Sequence, residues 1–243
     1  MSAKIKTLIA DYHIHSRYSP DSQSEIEDII ETSREKGINH IIITDHYELA
    51  DEHANVIDVD TYRSEMEKYS LPVGVELGWD GVKELNVDTK KFDYVLLSHH
   101  QVEEPITHES YKNYLLRLLD IMKRFDEYHA LAHLDFPRRY QKNKEPFSVE
   151  LYDIISEIMK ILIKNGKMLE VNTAAIEIYG EPNPSIELLR LYKSLGGRNI
   201  TIGSDAHSLE QIGRGIERGI EILRELGYNY ILVFDAEWRE VRI

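Results

Sequence analysis

Apolar positions along the chain fall into two alternating kinds of run. Short runs rich in β-branched and aromatic residues cover 6–14, 38–44, 72–77, 94–98, 130–134, 168–172, 200–203 and 230–234, which is the length and make-up of buried strands. Longer stretches, with an apolar face recurring every three to four positions, occupy 24–36, 61–69, 110–128, 149–165, 185–195 and 211–226, the pattern of helices packed on one side. Gly37, Gly166, Gly196 and Gly227 follow four of these stretches, where a left-handed residue ends a helix. The βαβα rhythm predicts an α/β fold with a mostly parallel sheet, and seven or eight such units close into a TIM-like barrel more readily than they spread as an open sheet. No Pro-, Ser- or Gly-rich linker, charge block or repeat interrupts the rhythm, so residues 1–243 read as a single domain. The longest irregular pieces, 49–60 and 138–147, follow strands, where barrel enzymes carry their substrate loops.

Charge and cysteine usage narrow the partners. With 43 acidic against 29 basic residues the net charge is −14, which argues against long nucleic acid and membrane surfaces, since both need a basic face. A small phosphorylated substrate then requires a local positive field, and bound divalent cations supply one. The chain has no cysteine, which excludes disulfides, thiolate metal sites and cysteine nucleophiles together and leaves nitrogen and oxygen as the only metal donors. No apolar run is long enough for a membrane span or a signal peptide, so the expected compartment is the cytoplasm.

The chemistry sits at the predicted strand ends. They carry His13 and His15, Asp45 and His46, Glu76, His99 and His100, His133 and Asp135, Glu170 and Asn172, and Asp205 and His207. Residues two apart in a strand share a face, so His13 with His15, and Asp205 with His207, can each reach one centre. A lone strand-end histidine is more often structural than a ligand, but parallel barrel strands bring all their carboxyl ends to one rim, where these groups converge. A set of imidazoles and carboxylates suits Zn, Mn or Fe better than an all-oxygen cage for Mg or Ca. More than four donors implies more than one ion, a common device for attack on phosphorus. His40 begins a strand and belongs to the opposite rim. His53, His108 and His129 lie in loops or at element starts, with His53 kept as a weak candidate because its loop follows a ligand-bearing strand.

Taken in order, Asp11-Tyr12-His13-Ile14-His15, Ser19-Pro20-Asp21-Ser22, Thr44-Asp45-His46, Gly74-Val75-Glu76, Ser98-His99-His100, Ala132-His133-Leu134-Asp135, Asn172-Thr173 and Gly203-Ser204-Asp205-Ala206-His207 carry a resemblance. The chain resembles the PHP (polymerase and histidinol phosphatase) superfamily, in its histidinol-phosphate phosphatase branch, over residues 11–234. The resemblance implies a distorted seven-stranded barrel, (β/α)7, with two to three divalent metal ions. It implies one ion on His13, His15, Glu76 and Asp205, with Glu76 bridging to a second on His100 and His133. A third falls to His46 and His207, with Asp21 where some members have a histidine. His100 is preferred to His99 because the family motif reads Ser-x-His.

The activity implied is phosphomonoester hydrolysis of the histidinol-phosphatase kind, in histidine biosynthesis. A metal-bridging hydroxide attacks phosphorus, since coordination lowers the pKa of water from ~15.7 toward ~7, and Asp205 or His207 protonates the leaving alkoxide. Arg138-Arg139-Tyr140 resembles a phosphate-contacting segment of the branch, with Arg139 the favoured contact, because a guanidinium grips phosphate bidentately. Where the branch often reads Asn-Thr-x-Gly-Leu-Arg, this chain reads Asn172-Thr173-Ala174-Ala175-Ile176-Glu177. Glu177 thus replaces a phosphate-binding arginine, and Arg214 is the candidate to stand in for it. A nucleotide or phosphotyrosine substrate, or a metal-binding domain without catalysis, are the alternatives. The sequence gives no indication of an oligomeric state.

Overall fold

A computed structural model describes residues 10–49 and 55–243 of the chain. The start of the first predicted strand, the centre of the 49–60 loop and His53 lie outside the described residues. Eight strands follow one another as β1 (Ala10–Ile14), β2 (His40–Ile43), β3 (His46–Glu48), β4 (Gly74–Gly78), β5 (Tyr94–Ser98), β6 (Ala130–Leu131), β7 (Met168–Asn172) and β8 (Ile200–Gly203). β1 pairs with β2, and β3 through β8 form one sheet in sequence order, all neighbours parallel.

Two parallel bridges, Ile14 with Ala206 and Ile43 with Val73, join these sheets. Backbone bonds continue the ladder there, with His15 N–H donating to Ala206 O at 2.8 Å and Glu76 N–H to Asp45 O at 3.1 Å. β2 and β3 are therefore two pieces of one stave, broken at Thr44-Asp45, and the ring closes with seven staves as a distorted (β/α)7 barrel. The break has a local cause: the Asp45 carboxylate accepts from Ser16 N–H at 2.6 Å, Ser16 Oγ–H at 2.6 Å and Ser19 Oγ–H at 2.7 Å, which ties the strand to the loop after β1. Gly203 permits the final closure, since a Cβ there would stand 2.3 Å from His13 Cβ.

The staves β1, β4, β5, β7 and β8 are buried along their whole length. Parallel strands covered on both faces read as continuous apolar runs, which is why periodicity located them. The cover is α1 (Ile26–Glu35), α2 (Val59–Lys68), α3 (His108–Arg124), α4 (Tyr152–Lys164), the single turn α5 (Ile176–Tyr179), α6 (Ile186–Ser194) and α7 (Ile216–Glu225). α4 shows the logic of the set. It buries Ile155, Ile158, Met159 and Leu162, one stripe at helical spacing, each contributing roughly 1.5–3 kcal/mol. α3 starts at His108 because Thr107 and Ser110 cap it reciprocally, an arrangement that satisfies two otherwise orphaned N–H groups. His108 is thereby a helix-start residue, 3.5 Å from Glu150.

The last predicted strand departs from a stave. β9 (Tyr230–Asp235) turns at Ala236, φ 60°, and pairs antiparallel with β10 (Glu237–Arg242). This hairpin sits at the amino-terminal end of the barrel, where Phe234 N–H donates to Tyr12 Oη at 2.9 Å and the Trp238 ring lies 5.8 Å from Tyr12 and 5.3 Å from Tyr94. His129 belongs to this end too, accepting Val95 N–H on Nδ1 at 2.9 Å, as does His40 at the start of β2. The carboxyl ends of the strands remain open. No helix among the described residues is long and apolar enough to cross a membrane.

Candidate metal centre

Glu76, at the middle of β4, is the hub of the open end. The imidazole nitrogens of His13, His15, His46, His100 and His133 stand 3.0–3.7 Å from its two oxygens. Asp205 lies alongside, with Oδ1 3.5 Å from His13 Nε2 and 3.4 Å from His15 Nε2. Asp21 completes the outer edge, with Oδ2 3.4 Å from His46 Nε2 and 3.1 Å from His207 Nε2. Donor atoms lie within 4.8 Å of one another in three overlapping groups: His13, His15 and Asp205; His46, Glu76 and His100; and His15, Asp21, His46 and His207. The structure thus brings together all nine residues expected as ligands.

The donor set fits divalent cations on an independent ground. His13 Nε2, His15 Nε2 and Glu76 Oε2 are buried and have no hydrogen-bond partner, although they crowd together. Native interiors rarely leave such atoms unpaired, because each costs its full desolvation. Cations among them satisfy all three. Four of the opposite ring nitrogens are engaged: His13 Nδ1 with Glu170 Oε1 at 2.6 Å, His15 Nδ1 with Ser19 Oγ at 3.1 Å, His100 Nδ1 with Glu48 Oε2 at 2.7 Å and His207 Nδ1 with the Asp205 carbonyl at 3.0 Å; His133 Nδ1 has no such partner. An acceptor on Nδ1 places the proton there and leaves the Nε2 lone pair facing inward, the usual support of a metal-bound histidine.

Glu170, one of the strand-end groups, was assigned no ion by the resemblance, and Glu48 does not appear among those groups at all. The signal for Glu48 is its spacing, two residues beyond His46 on the same face. Its seat depends on Gly78 across the β3–β4 register, where a Cβ would come within 1.9 Å of Glu48 Oε2. Glu170 does double service, its other oxygen accepting His133 N–H at 2.9 Å.

The electrostatics follow from this crowding. Burial alone would raise Glu76, but the charges of His13, His46 and His100 hold it well below the usual carboxylate range. Asp205 is likewise held down, against its burial, by Arg139 and His13. Burial works to lower His46 and His100, yet Glu76 and the neighbouring carboxylates outweigh it, raising them to about 10 and about 9. His15 falls to about 3 through burial and the flanking imidazoles. Cations must therefore displace protons from His46 and His100. Metal binding at pH 7.5 is expected to release protons, read as a calorimetric enthalpy that varies with the ionisation heat of the buffer, and to weaken as pH falls. Identical enthalpies in buffers of different ionisation heat would contradict this.

The three arginines part company. Arg139 donates from Nη2 to Asp205 Oδ2 and lies over the Phe136 ring at 5.1 Å, facing the centre. Arg138 is turned into the protein: it donates from Nε to Lys144 O at 2.5 Å and from Nη2 to Glu181 Oε1 at 2.6 Å, stacked 4.7 Å from Tyr179. Arg138 was expected to touch substrate, but the structure buries it, 3% exposed, with Nε and Nη2 held by internal acceptors, and only Arg139 is brought to the centre. Arg214 donates from Nε to the Ser204 carbonyl and from Nη2 to the Asp205 carbonyl. Glu177 is exposed on α5, and its charge acts on Arg214. His99 faces away from Glu76, its Nδ1 3.2 Å from Trp79 O and its ring stacked on Tyr114. Beside His100 opens a cavity of about 840 Å³ lined by His99, Glu103, Tyr114, Arg117, Asp120 and Tyr140, among others.

The comparisons with known proteins agree with one another. A family model described as PHP domain matches residues 11–174. The chain is 44% identical over 225 residues to a probable histidinol-phosphatase of Thermotoga maritima, covering 92% of this chain and 94% of that protein. It is 27% identical over 256 residues to a histidinol-phosphatase of Lactococcus lactis, covering 93% and 94%. Among solved structures it is similar to a histidinol phosphate phosphatase from Lactococcus lactis complexed with zinc, L-histidinol and phosphate, at a TM-score of 0.81 and 23% identity over 95% of this chain and 98% of that one. A putative histidinol phosphatase from Listeria monocytogenes gives a TM-score of 0.71 at 20% identity, covering 86% and 99%.

Proposed function

The chain belongs to the PHP domain family, and from that membership we propose that it is a metal-dependent phosphatase hydrolysing L-histidinol phosphate to L-histidinol and inorganic phosphate. The observation that carries the reading is the set of buried, unpartnered atoms His13 Nε2, His15 Nε2 and Glu76 Oε2 at the open end of the barrel. His13, His15, Glu76 and Asp205 would hold one ion, Glu76, His100 and His133 a second, and Asp21, His46 and His207 a third. Zinc, the metal in the Lactococcus lactis relative, suits these nitrogen and oxygen donors, as do manganese and iron. When bound, such ions make water nucleophilic near neutral pH and offset the charge of the phosphate. The protein is read as one cytoplasmic domain over residues 1–243 acting in histidine biosynthesis.

The chain's own residues supply orientation and proton handling. Arg139, now paired with Asp205, is the arginine placed to grip a phosphate oxygen, and the cavity beside His100 has room for the alcohol. Asp205 and His207 are the candidates to return a proton to the leaving alkoxide. His207 is the more open of the two, its side chain 27% exposed against 5%.

Replacement of Arg139 by alanine is expected to raise KM for the phosphate ester and Ki for inorganic phosphate by roughly 10- to 150-fold, the loss of a charge-assisted bond of about 1.5–3 kcal/mol. Unchanged constants would remove Arg139 from the phosphate site. The substrate itself is tested by assaying L-histidinol phosphate, a 3′,5′-nucleoside bisphosphate and a phosphotyrosyl peptide with Zn, Mn and Fe in turn. A kcat/KM for histidinol phosphate on the order of 10² or more above the others supports the reading. Preference for either competitor replaces the substrate, and metal uptake without turnover of any ester favours a scaffold.

A further inference from the structure

Asp205 brings its carboxylate to the centre from a backbone conformation that residues with a Cβ rarely adopt, φ 53°. Arg214 holds that turn. Its Nε donates to Ser204 O at 2.9 Å and its Nη2 to Asp205 O at 2.8 Å, so one planar guanidinium fixes two successive carbonyls. The Asp205 carbonyl also accepts His207 Nδ1–H at 3.0 Å, which turns His207 Nε2 toward Asp21, 3.1 Å away. A single peptide group thus governs the aim of both Asp205 and His207.

The seat of Arg214 is equally defined. It lies between two left-handed glycines, Gly213 at φ 74° and Gly215 at φ 68°, and a Cβ on Gly215 would come within 2.8 Å of Thr173 O. The Thr173 hydroxyl bridges the turns, 2.6 Å from Arg214 O and 3.1 Å from Gly203 O. Asp11 ties the same two turns from below, accepting Ser204 N–H at 2.8 Å and Gly213 N–H at 2.9 Å.

We propose that Arg214 is a positioning residue, which locks the left-handed turn at Asp205 and so aims two prospective metal ligands, and that it is not a phosphate contact. The proposal rests on the functional reading above only for the assignment of Asp205 and His207 as ligands.

The test is titration of Mn²⁺ alone, with no substrate, into chelator-stripped wild-type protein and Arg214→Lys, followed calorimetrically. Lysine keeps the charge but its ammonium cannot reproduce the planar fork. Affinity for at least one ion is expected to fall about 10- to 100-fold, the usual cost of losing an outer-sphere partner. Ki for inorganic phosphate in the metal-saturated variant should stay as in wild type. Unaltered metal affinity, or a weakened Ki with metal affinity intact, overturns the proposal, the second outcome making Arg214 a phosphate contact. Should Arg214→Lys not fold by circular dichroism, Thr173→Val removes the bridge that seats Arg214, and unaltered metal affinity there overturns it equally. Wild-type metal uptake without turnover of histidinol phosphate overturns the substrate reading alone.

Discussion

Replacing Glu76 with glutamine is expected to lower kcat/KM by on the order of 10³-fold or more and to deplete bound metal. Losing an outer-sphere partner already costs about 10- to 100-fold, and a carboxylate shared between ions is worth more than a partner behind one imidazole. The side chain keeps its shape, and the backbone is held by the β4–β5 register, Glu76 opposite Leu96, and by its N–H bond to Asp45 O. The fold should therefore persist. Chelated wild type and Glu76→Gln should show the same circular dichroism, so that lost turnover reports the centre and not unfolding. His13→Ala and Asp205→Asn carry the same expectation. Full activity of metal-replete Glu76→Gln would remove Glu76 from the centre.

The residues that meet at the barrel mouth were legible in the sequence because parallel strands buried on both faces appear as uninterrupted apolar runs whose carboxyl ends turn abruptly polar. His99 and His100 show how far local rules reach. Adjacent strand-end residues face opposite ways, and the structure points one at Trp79 O and the other at Glu76. Arg138 and Arg139 show where those rules stop. They stand in a 3-10 turn, Phe136–Tyr140, in which successive side chains diverge by about a third of a turn, and which one faces inward depends on Glu181, distant in sequence. The roles of Glu48 and Glu170 behind His100 and His13 were obscured because those ring nitrogens lie on other strands: spacing can put Glu48 on the face of His46, but it does not name the imidazole it meets. β10 was missed for a different reason: Glu237–Arg242 is too charged to read as a strand, and only the ladder with β9 makes it one.

Stripping the ions with a chelator is expected to lower the melting temperature by about 8–16 °C. One ion held at 1,000 times its dissociation constant stabilises the folded state by about 4.1 kcal/mol, and a domain of this size shifts by about 2–4 °C per kcal/mol. The drop should depend on pH in a stated direction. In the metal-free protein His46 and His100 have folded-state values of about 10 and about 9, above their unfolded value, so pairing with Glu76 and its neighbours stabilises fully below pH ~6.5. That compensation fades as pH rises through 9 to 10, while metal binding meets less competition from protons. The gap between metal-loaded and chelated protein should accordingly widen from pH 6 to pH 9, as scanning calorimetry at fixed free metal would show. Equal melting temperatures throughout would mean that the unpartnered nitrogens at the barrel mouth hold no ion that matters to folding, and the assignment of the centre would have to be given up.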